Sequence, residues 1–243
     1  MSANISVQMI SFAKDVLVDF VSLLYPKYCF ACNEGLMKGE ENVCSRCMLE
    51  LPRTQHHLDP ENALFTRLNG RIPLKSAFAF FLFRKGGRVQ QLLHALKYSN
   101  QPELGEMLGE VYGQELQQTN LDQKFNVIVP VPLHTVRKRK RGYNQSEEFA
   151  KGLSKSLNIP FVDALARTTQ TETQTRKSKL SRWQNVSEVF QVKNLIQIQN
   201  QHVLLVDDVI TTGATIEACA QVLLDQGCSS VSIASIAYAE EGK

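Results

Sequence analysis

His202–Thr215 reads HVLLVDDVITTGAT, and the rest of the chain can be organised around it. The unbroken apolar run from Val203 to Val206 predicts a strand buried on both faces, beginning at Gln201. Asp207 and Asp208 then fall at its carboxyl end, the edge where open α/β sheets place their ligands. Thr211, Thr212, Gly213, Ala214 and Thr215 lead into a helix expected over Thr212–Gln226, which Gly227 terminates. Gly213 allows close backbone approach, and the unpaired N–H groups of a helix start, joined by threonine hydroxyls, favour an anion. A phosphate therefore belongs at Thr211–Thr215. Two carboxylates beside a phosphate make sense when the same ligand presents vicinal hydroxyls as donors, and a ribose 5-phosphate does both.

Two other phosphate-related loops fit less well. A Walker-type loop needs a lysine before its serine or threonine, and this loop has none. A phosphorylation receiver also starts on paired aspartates, but needs further strands after them. The stretch following Asp207 holds room for one helix and one strand, Ser230–Ala237.

Upstream, Ala77–Phe83 (AFAFFLF) predicts a buried strand, and Gly86–Tyr98 a helix with Val89, Leu92, Leu93 and Leu96 on one side. A second helix is expected over Glu103–Gln118 and a short strand over Asn126–Val131. Another helix is expected over Ser146–Leu157 and a strand over Phe161–Leu165. Strands alternating with helices, apolar on both faces, predict an α/β, Rossmann-like fold: a mostly parallel central sheet with helices on both faces. That domain is assigned to residues 61–243, and residues 1–60 to a smaller N-terminal module.

The module contains Cys29-x2-Cys32 and Cys44-x2-Cys47, separated by NEGLMKGEENV. Each Cys-x-x-Cys turn can supply two soft ligands, and Gly35 and Gly39 let the chain reverse between the turns. Four thiols at this spacing predict a structural Zn²⁺ site, with a redox pair or plain core cysteines as the alternatives. Cys219 and Cys228 read as buried apolar residues. The apolar segment Ile5–Leu24 is broken by Lys14, Asp15 and Asp19, so a membrane span or a signal peptide is not expected. It reads as an amphipathic helix, packed on the protein or touching a membrane or partner, in a cytoplasmic chain.

Charge is uneven. The chain carries a net +3, yet His134–Arg182 holds twelve Lys/Arg against four acids, a local +8 that leaves −5 elsewhere. At its centre stand Arg137, Lys138, Arg139, Lys140 and Arg141, followed by Gly142, Tyr143, Asn144 and Gln145. The run is either a solvated loop with an arginine or two reaching the ligand, or a contact for nucleic-acid phosphates. In the second reading Tyr143 or Tyr28 would stack on bases.

The HVLLVDDVITTGAT loop resembles the phosphoribosyl-pyrophosphate (PRPP) loop of type I phosphoribosyltransferases. Three further segments resemble the ComF/GntX branch of that family, in the same order along the chain. They are the four-cysteine motif, VPVPLHTVRKRKRGYNQ at Val129–Gln145, and Arg167-x3-Thr171-x2-Gln174-x7-Arg182-x2-Asn185-Val186. The resemblance spans Tyr28 to Ala237; Lys177 departs from it, standing where the branch favours leucine. It implies that Asp207 and Asp208 take the ribose hydroxyls and Thr211–Thr215 the 5-phosphate. Pyrophosphate would lie at Val131, Pro132, Leu133 and His134, in a loop where the family carries a cis peptide, and Arg182 would close over it with Mg²⁺. The branch is linked to natural transformation, which implies single-stranded DNA and DNA-uptake proteins as partners. A phosphoribosyltransferase acting on an unidentified acceptor and a GntX-like role in nutrient utilisation remain the alternatives.

Overall fold

The computed structural model describes residues 25–121, 124–167 and 189–240. The chain divides into two compact units, Met1–Leu51 and Pro52–Lys243. Residues 52–60, grouped by sequence with the cysteine module, are tied to the large unit by hydrogen bonds. Leu82 N–H donates to Pro52 O at 2.8 Å, and Thr54 N–H donates to Phe80 O at 3.1 Å.

In the small unit, the first cysteine turn is closed by Asn33 N–H donating to Cys29 O and Cys29 N–H donating to Glu34 O, both at 2.8 Å. The second turn opens helix α1 (Ser45–Glu50), whose N-cap is Cys44.

The large unit begins with a 3-10 turn (His56–Leu58) and α2 (Ala63–Asn69), capped by Asn62 Oδ1 accepting from Phe65 N–H. β1 (Ala77–Phe83), α3 (Arg88–Tyr98), α4 (Pro102–Gln117) and β2 (Val127–Pro130) follow. Next come α5 (Thr135–Arg141), α6 (Gln145–Leu157), β3 (Leu165–Arg167), β4 (Phe190–Val192), β5 (His202–Ile210), α7 (Ala214–Asp225) and β6 (Ser230–Ala239). The sheet order is β1-β6-β5-β2, with every neighbouring pair parallel, and β3-β4 forms a separate antiparallel pair. The predicted α/β architecture with a parallel central sheet is present.

Helices cover both sheet faces because the strands are apolar on both. On one face, alternate residues such as Ala77, Val129, Leu205 and Ile233 pack with Leu64, Leu68, Ile216, Cys219 and Leu223. Cys219 is thus fully buried, as its reading as a core residue requires. On the other, fully buried Tyr112 of α4 stacks on Phe80 and lies near Phe149 of α6. The α4/α6 crossing is closed by glycine. A Cβ on Gly109 would lie 2.3 Å from Phe149 O, and one on Gly152 would lie 2.0 Å from Glu106 O.

Several elements differ from the sequence expectation. The basic run is the helix α5 rather than a loop, stopped by Gly142 at φ +84°. Phe161 makes only an isolated parallel bridge to Ile128, and the strand proper starts at Leu165. β5 continues through Asp207 and Asp208 to Ile210, because the long β6 pairs with it as far as Tyr238. Helix α7 starts later than expected, at Ala214, because Gly213 occupies the left-handed N-cap position.

Candidate functional site

The acidic pair is carried near the end of β5, between neighbours that fix both carboxylates. Asp207 Oδ1 accepts from Ser146 Oγ at 2.9 Å and from the Asp208 N–H at 2.8 Å. Asp208 Oδ2 lies 2.8 Å from Lys97 Nζ, at the end of α3. Burial pushes the Asp207 carboxyl up to about 7, and the charge of Asp208 adds to the rise. The Ser146 and Asp208 donors and the Lys97 ammonium work in the opposite direction. Neither Lys97 nor Ser146 belongs to the phosphate-loop motif, and no local pattern marks them in sequence.

Beyond the acids, the chain leaves the sheet through Thr211, Thr212 and Gly213. A small cavity of about 40 Å³ is lined by Asp207 and residues 209–216. Gly213 has φ +86°, and a Cβ there would lie 2.6 Å from Leu68 Cδ2, so the loop shape requires glycine. Thr211, Thr212, Ala214 and Thr215 are exposed. The first N–H groups of α7 have no carbonyl one turn earlier within the helix, and that of Ala214 donates to Thr212 Oγ1 at 3.4 Å. Arg71 holds the loop from outside, donating to Thr212 O at 3.2 Å and to Glu217 Oε1 at 2.9 Å. That ion pair keeps the carboxylate of Glu217, in the first turn of α7, engaged.

The turn expected to face pyrophosphate follows β2. Val131 N–H donates to Val206 O at 2.8 Å, and Val131 O accepts from Asn144 Nδ2 at 2.9 Å. Val131 and Pro132 are buried, while Leu133 and His134 are partly exposed. His134 caps α5, its Nδ1 accepting from Val136 N–H at 3.2 Å. No peptide bond among the described residues is cis, which departs from the family expectation for this loop.

The residues after the basic helix bind the site together. Tyr143 Oη donates to Leu96 O and accepts from Gln101 N–H, Asn144 holds Val131 O, and Ser146 holds Asp207. Tyr143 is therefore a correction to the sequence reading. It is 8% exposed and its hydroxyl is engaged, so its ring is not available to a base. Tyr28, in the small unit, is 52% exposed.

Arg137, Lys138, Arg139 and Lys140 are exposed on α5. Lys138 pairs with Glu147 at 2.9 Å, and Arg141 donates to Gln145 Oε1 at 2.7 Å. Arg182, the arginine assigned to pyrophosphate, lies outside the described residues, as does Ile5–Leu24.

In the small unit, the sulfurs of Cys29, Cys32, Cys44 and Cys47 all lie within 4.8 Å of one another. Tetrahedral Zn–S bonds of about 2.3 Å would set sulfurs about 3.8 Å apart, and Cys32 Sγ and Cys44 Sγ are 3.9 Å apart. All four thiols are free rather than paired as disulfides. Cys29 Sγ accepts N–H groups from Ala31 at 3.4 Å and Cys44 at 3.3 Å. Burial raises the Cys29 thiol, but N–H donors from Cys44, Ala31 and Cys32 outweigh it and bring the thiol down to about 7. The cluster has the spacing to hold a metal ion. Among the described residues, no helix is long and apolar enough to cross a membrane.

The parallel sheet thus carries an acidic pair near the end of its central strand β5, followed by a glycine-shaped loop into α7. The phosphoribosyl transferase domain family matches residues 114–243, and the chain belongs to that family. Over most of its length it is similar to proteins of DNA use and competence. It is 29% identical to DNA utilization protein YhgH of Escherichia coli K12, covering 87% of this chain and 96% of that protein. Competence protein ComFC of Bacillus subtilis is 27% identical, with 89% of this chain and 86% of that protein covered. Competence protein F of Haemophilus influenzae is 26% identical, with 87% and 96% covered. The resemblance to the ComF-type branch thus extends through both units.

Proposed function

We propose that this chain is a ComF-like competence protein that binds PRPP with Mg²⁺ and handles single-stranded DNA during uptake. The observation that carries the PRPP reading is the position of Asp207 and Asp208 in the strand that leads directly into the Gly213 loop. In this reading the threonine hydroxyls and N–H groups of Thr211–Thr215 take the 5-phosphate, and the two carboxylates accept the ribose hydroxyls. Lys97 offsets the charge of Asp208 and holds its carboxylate in one orientation. The backbone of Val131–His134 and the guanidinium of Arg182 take the pyrophosphate. Mg²⁺ bound together with PRPP would help neutralise the charge of the leaving pyrophosphate. The residues around it align the ribose and disperse the leaving group's charge, the main protein contribution to a displacement at the ribose C1.

The cysteine cluster is assigned a structural Zn²⁺, since all four ligand positions come from protein. The names of the relatives and the exposed cations of α5 support the DNA side of the proposal. DNA-uptake proteins are the protein partners it calls for.

Calorimetry with PRPP and Mg²⁺ tests the sugar-phosphate site. The intact protein should bind, and an Asp207→Ala/Asp208→Ala variant that still melts cooperatively should not. Equal binding by that variant would remove the assignment. Release of pyrophosphate from PRPP, measured across bases, nucleosides and DNA, separates a transferase from a protein that only binds.

A further inference from the structure

Burial of Tyr143 leaves the basic helix without the aromatic that its sequence offered, yet the fold supplies another. Tyr98, the last residue of α3, is 64% exposed and is the only exposed Phe, Tyr or Trp among the described residues of the large unit. Its ring centroid lies 5.4 Å from Arg141 Cζ and 4.7 Å from the His94 ring. We propose that Tyr98, flanked by His94 and Arg141, is the base-stacking residue of a single-strand-binding face whose phosphate contacts come from Arg137 and Lys140. This inference rests on the single-stranded DNA reading above and names the surface that carries it.

The face is built by buried contacts. Tyr143 Oη donates to Leu96 O and accepts from Gln101 N–H at 3.2 Å, so the residue after the basic helix is fastened on both sides of Tyr98. Gly142 turns the chain at φ +84°, which lets Arg141 lie beside Tyr98 while Tyr143 goes inward. The Tyr98 ring itself rests against His94 and Arg141, so it loses little further freedom when a base stacks on it.

The charges around it match a nucleic-acid strand. Lys138 is engaged by Glu147, but Arg137, one turn before Arg141 on the same side of α5, and Lys140 are exposed and make no ion pair among the described residues. Cations that follow a phosphate backbone beside a π-face are the combination used for single strands without sequence preference. A duplex hides its base faces in the stack, so the tyrosine selects unpaired bases. Arginine over the ring also allows a base to stack against guanidinium and phenol together.

Fluorescence anisotropy of a labelled oligothymidylate of about 12 nucleotides, with the full chain in its metal-bound form, tests the proposal. Tyr98→Ala should weaken binding about 5- to 150-fold, with Tyr98→Phe close to the parent. The slope of log affinity against log salt should stay the same in both, because neither removes a cation. PRPP binding and thermal melting of Tyr98→Ala should match the parent, which excludes misfolding as the cause. If the parent binds the oligonucleotide and Tyr98→Ala binds it equally, the Tyr98 assignment fails while the DNA reading stands. If the parent does not bind single strands, the DNA reading itself fails. Duplex binding as tight as single-strand binding, and indifferent to Tyr98, would also overturn the stacking role.

Discussion

Lys97 Nζ lies 2.8 Å from Asp208 Oδ2, joining the end of α3 to the acidic strand end of β5. The side chains are 23% and 15% exposed, between a solvated pair and a fully buried one. Replacing Lys97 with Met should lower stability by about 1–3 kcal/mol. It should also weaken PRPP·Mg²⁺ binding, since Asp208 loses its positioning cation. Urea unfolding and calorimetry on the same variant check the two effects, and unchanged values in both would remove the role assigned to Lys97.

Asp207 gives the site a pH dependence. Its folded value lies near 7, far above the ordinary carboxylate value of about 4. The folded state therefore keeps this proton when the unfolded chain has lost it, so the associated stability is full below about pH 4 and declines until about pH 7. Asp207→Asn should flatten that decline in urea unfolding measured from pH 4 to 8. Ribose hydroxyls favour the ionised carboxylate, so PRPP binding should tighten as pH rises towards 7 and release protons. Calorimetry in buffers of different ionisation enthalpy reads that release directly.

Gly213→Ala should damage the phosphate loop more than a typical glycine replacement. The residue sits at φ +86° and its Cβ would press on Leu68. A loss of at least about 1 kcal/mol is expected, together with weaker binding of PRPP. Gly152→Ala, at the α4/α6 crossing, should destabilise by about 1–3 kcal/mol or more through backbone contact. The two variants separate loop geometry from helix packing, because Gly152 meets Glu106 and Glu110 of α4 and does not line the loop cavity.

Freshly purified, reduced protein should contain about one zinc per chain, bound by the four thiols. Cys32→Ser should release zinc to a colorimetric chelator faster than the parent does. Chelation should unfold the cysteine unit, seen as loss of its amide protection in hydrogen exchange. Substoichiometric metal in protein kept reduced throughout would contradict the assignment.

Neutralising Arg137 and Lys140 together to Gln should reduce the salt slope of single-strand binding by about 1.4. Each cation released from a single strand contributes about 0.7 to that slope. A slope equal to that of the parent would place the phosphate contacts elsewhere.

Much of the fold was legible in local sequence because the deciding signals are local. AFAFFLF and HVLLV are apolar on both sides, which a parallel sheet covered by helices demands, and both became strands of that sheet. The fate of the basic run was not legible. Five cations have no apolar periodicity to mark a helix, and α5 is set instead by its His134 cap and the Gly142 turn. The depth of the α4/α6 crossing was also hidden, since glycines in a helix read as weak formers until a second helix meets them.

By itself, the sequence determined the strand His202–Ile210 with its acidic pair, the glycine turn after it and the two cysteine turns. Each depends on residues a few positions apart, with chemistry that short backbone geometry fixes. Only the tertiary structure decided what surrounds them. It brought Lys97 to Asp208 and Ser146 to Asp207, turned Tyr143 inward, and left Tyr98 outside beside Arg141. Those pairings are made by helices packed on one sheet, and side chains far apart in sequence meet only after the core has closed.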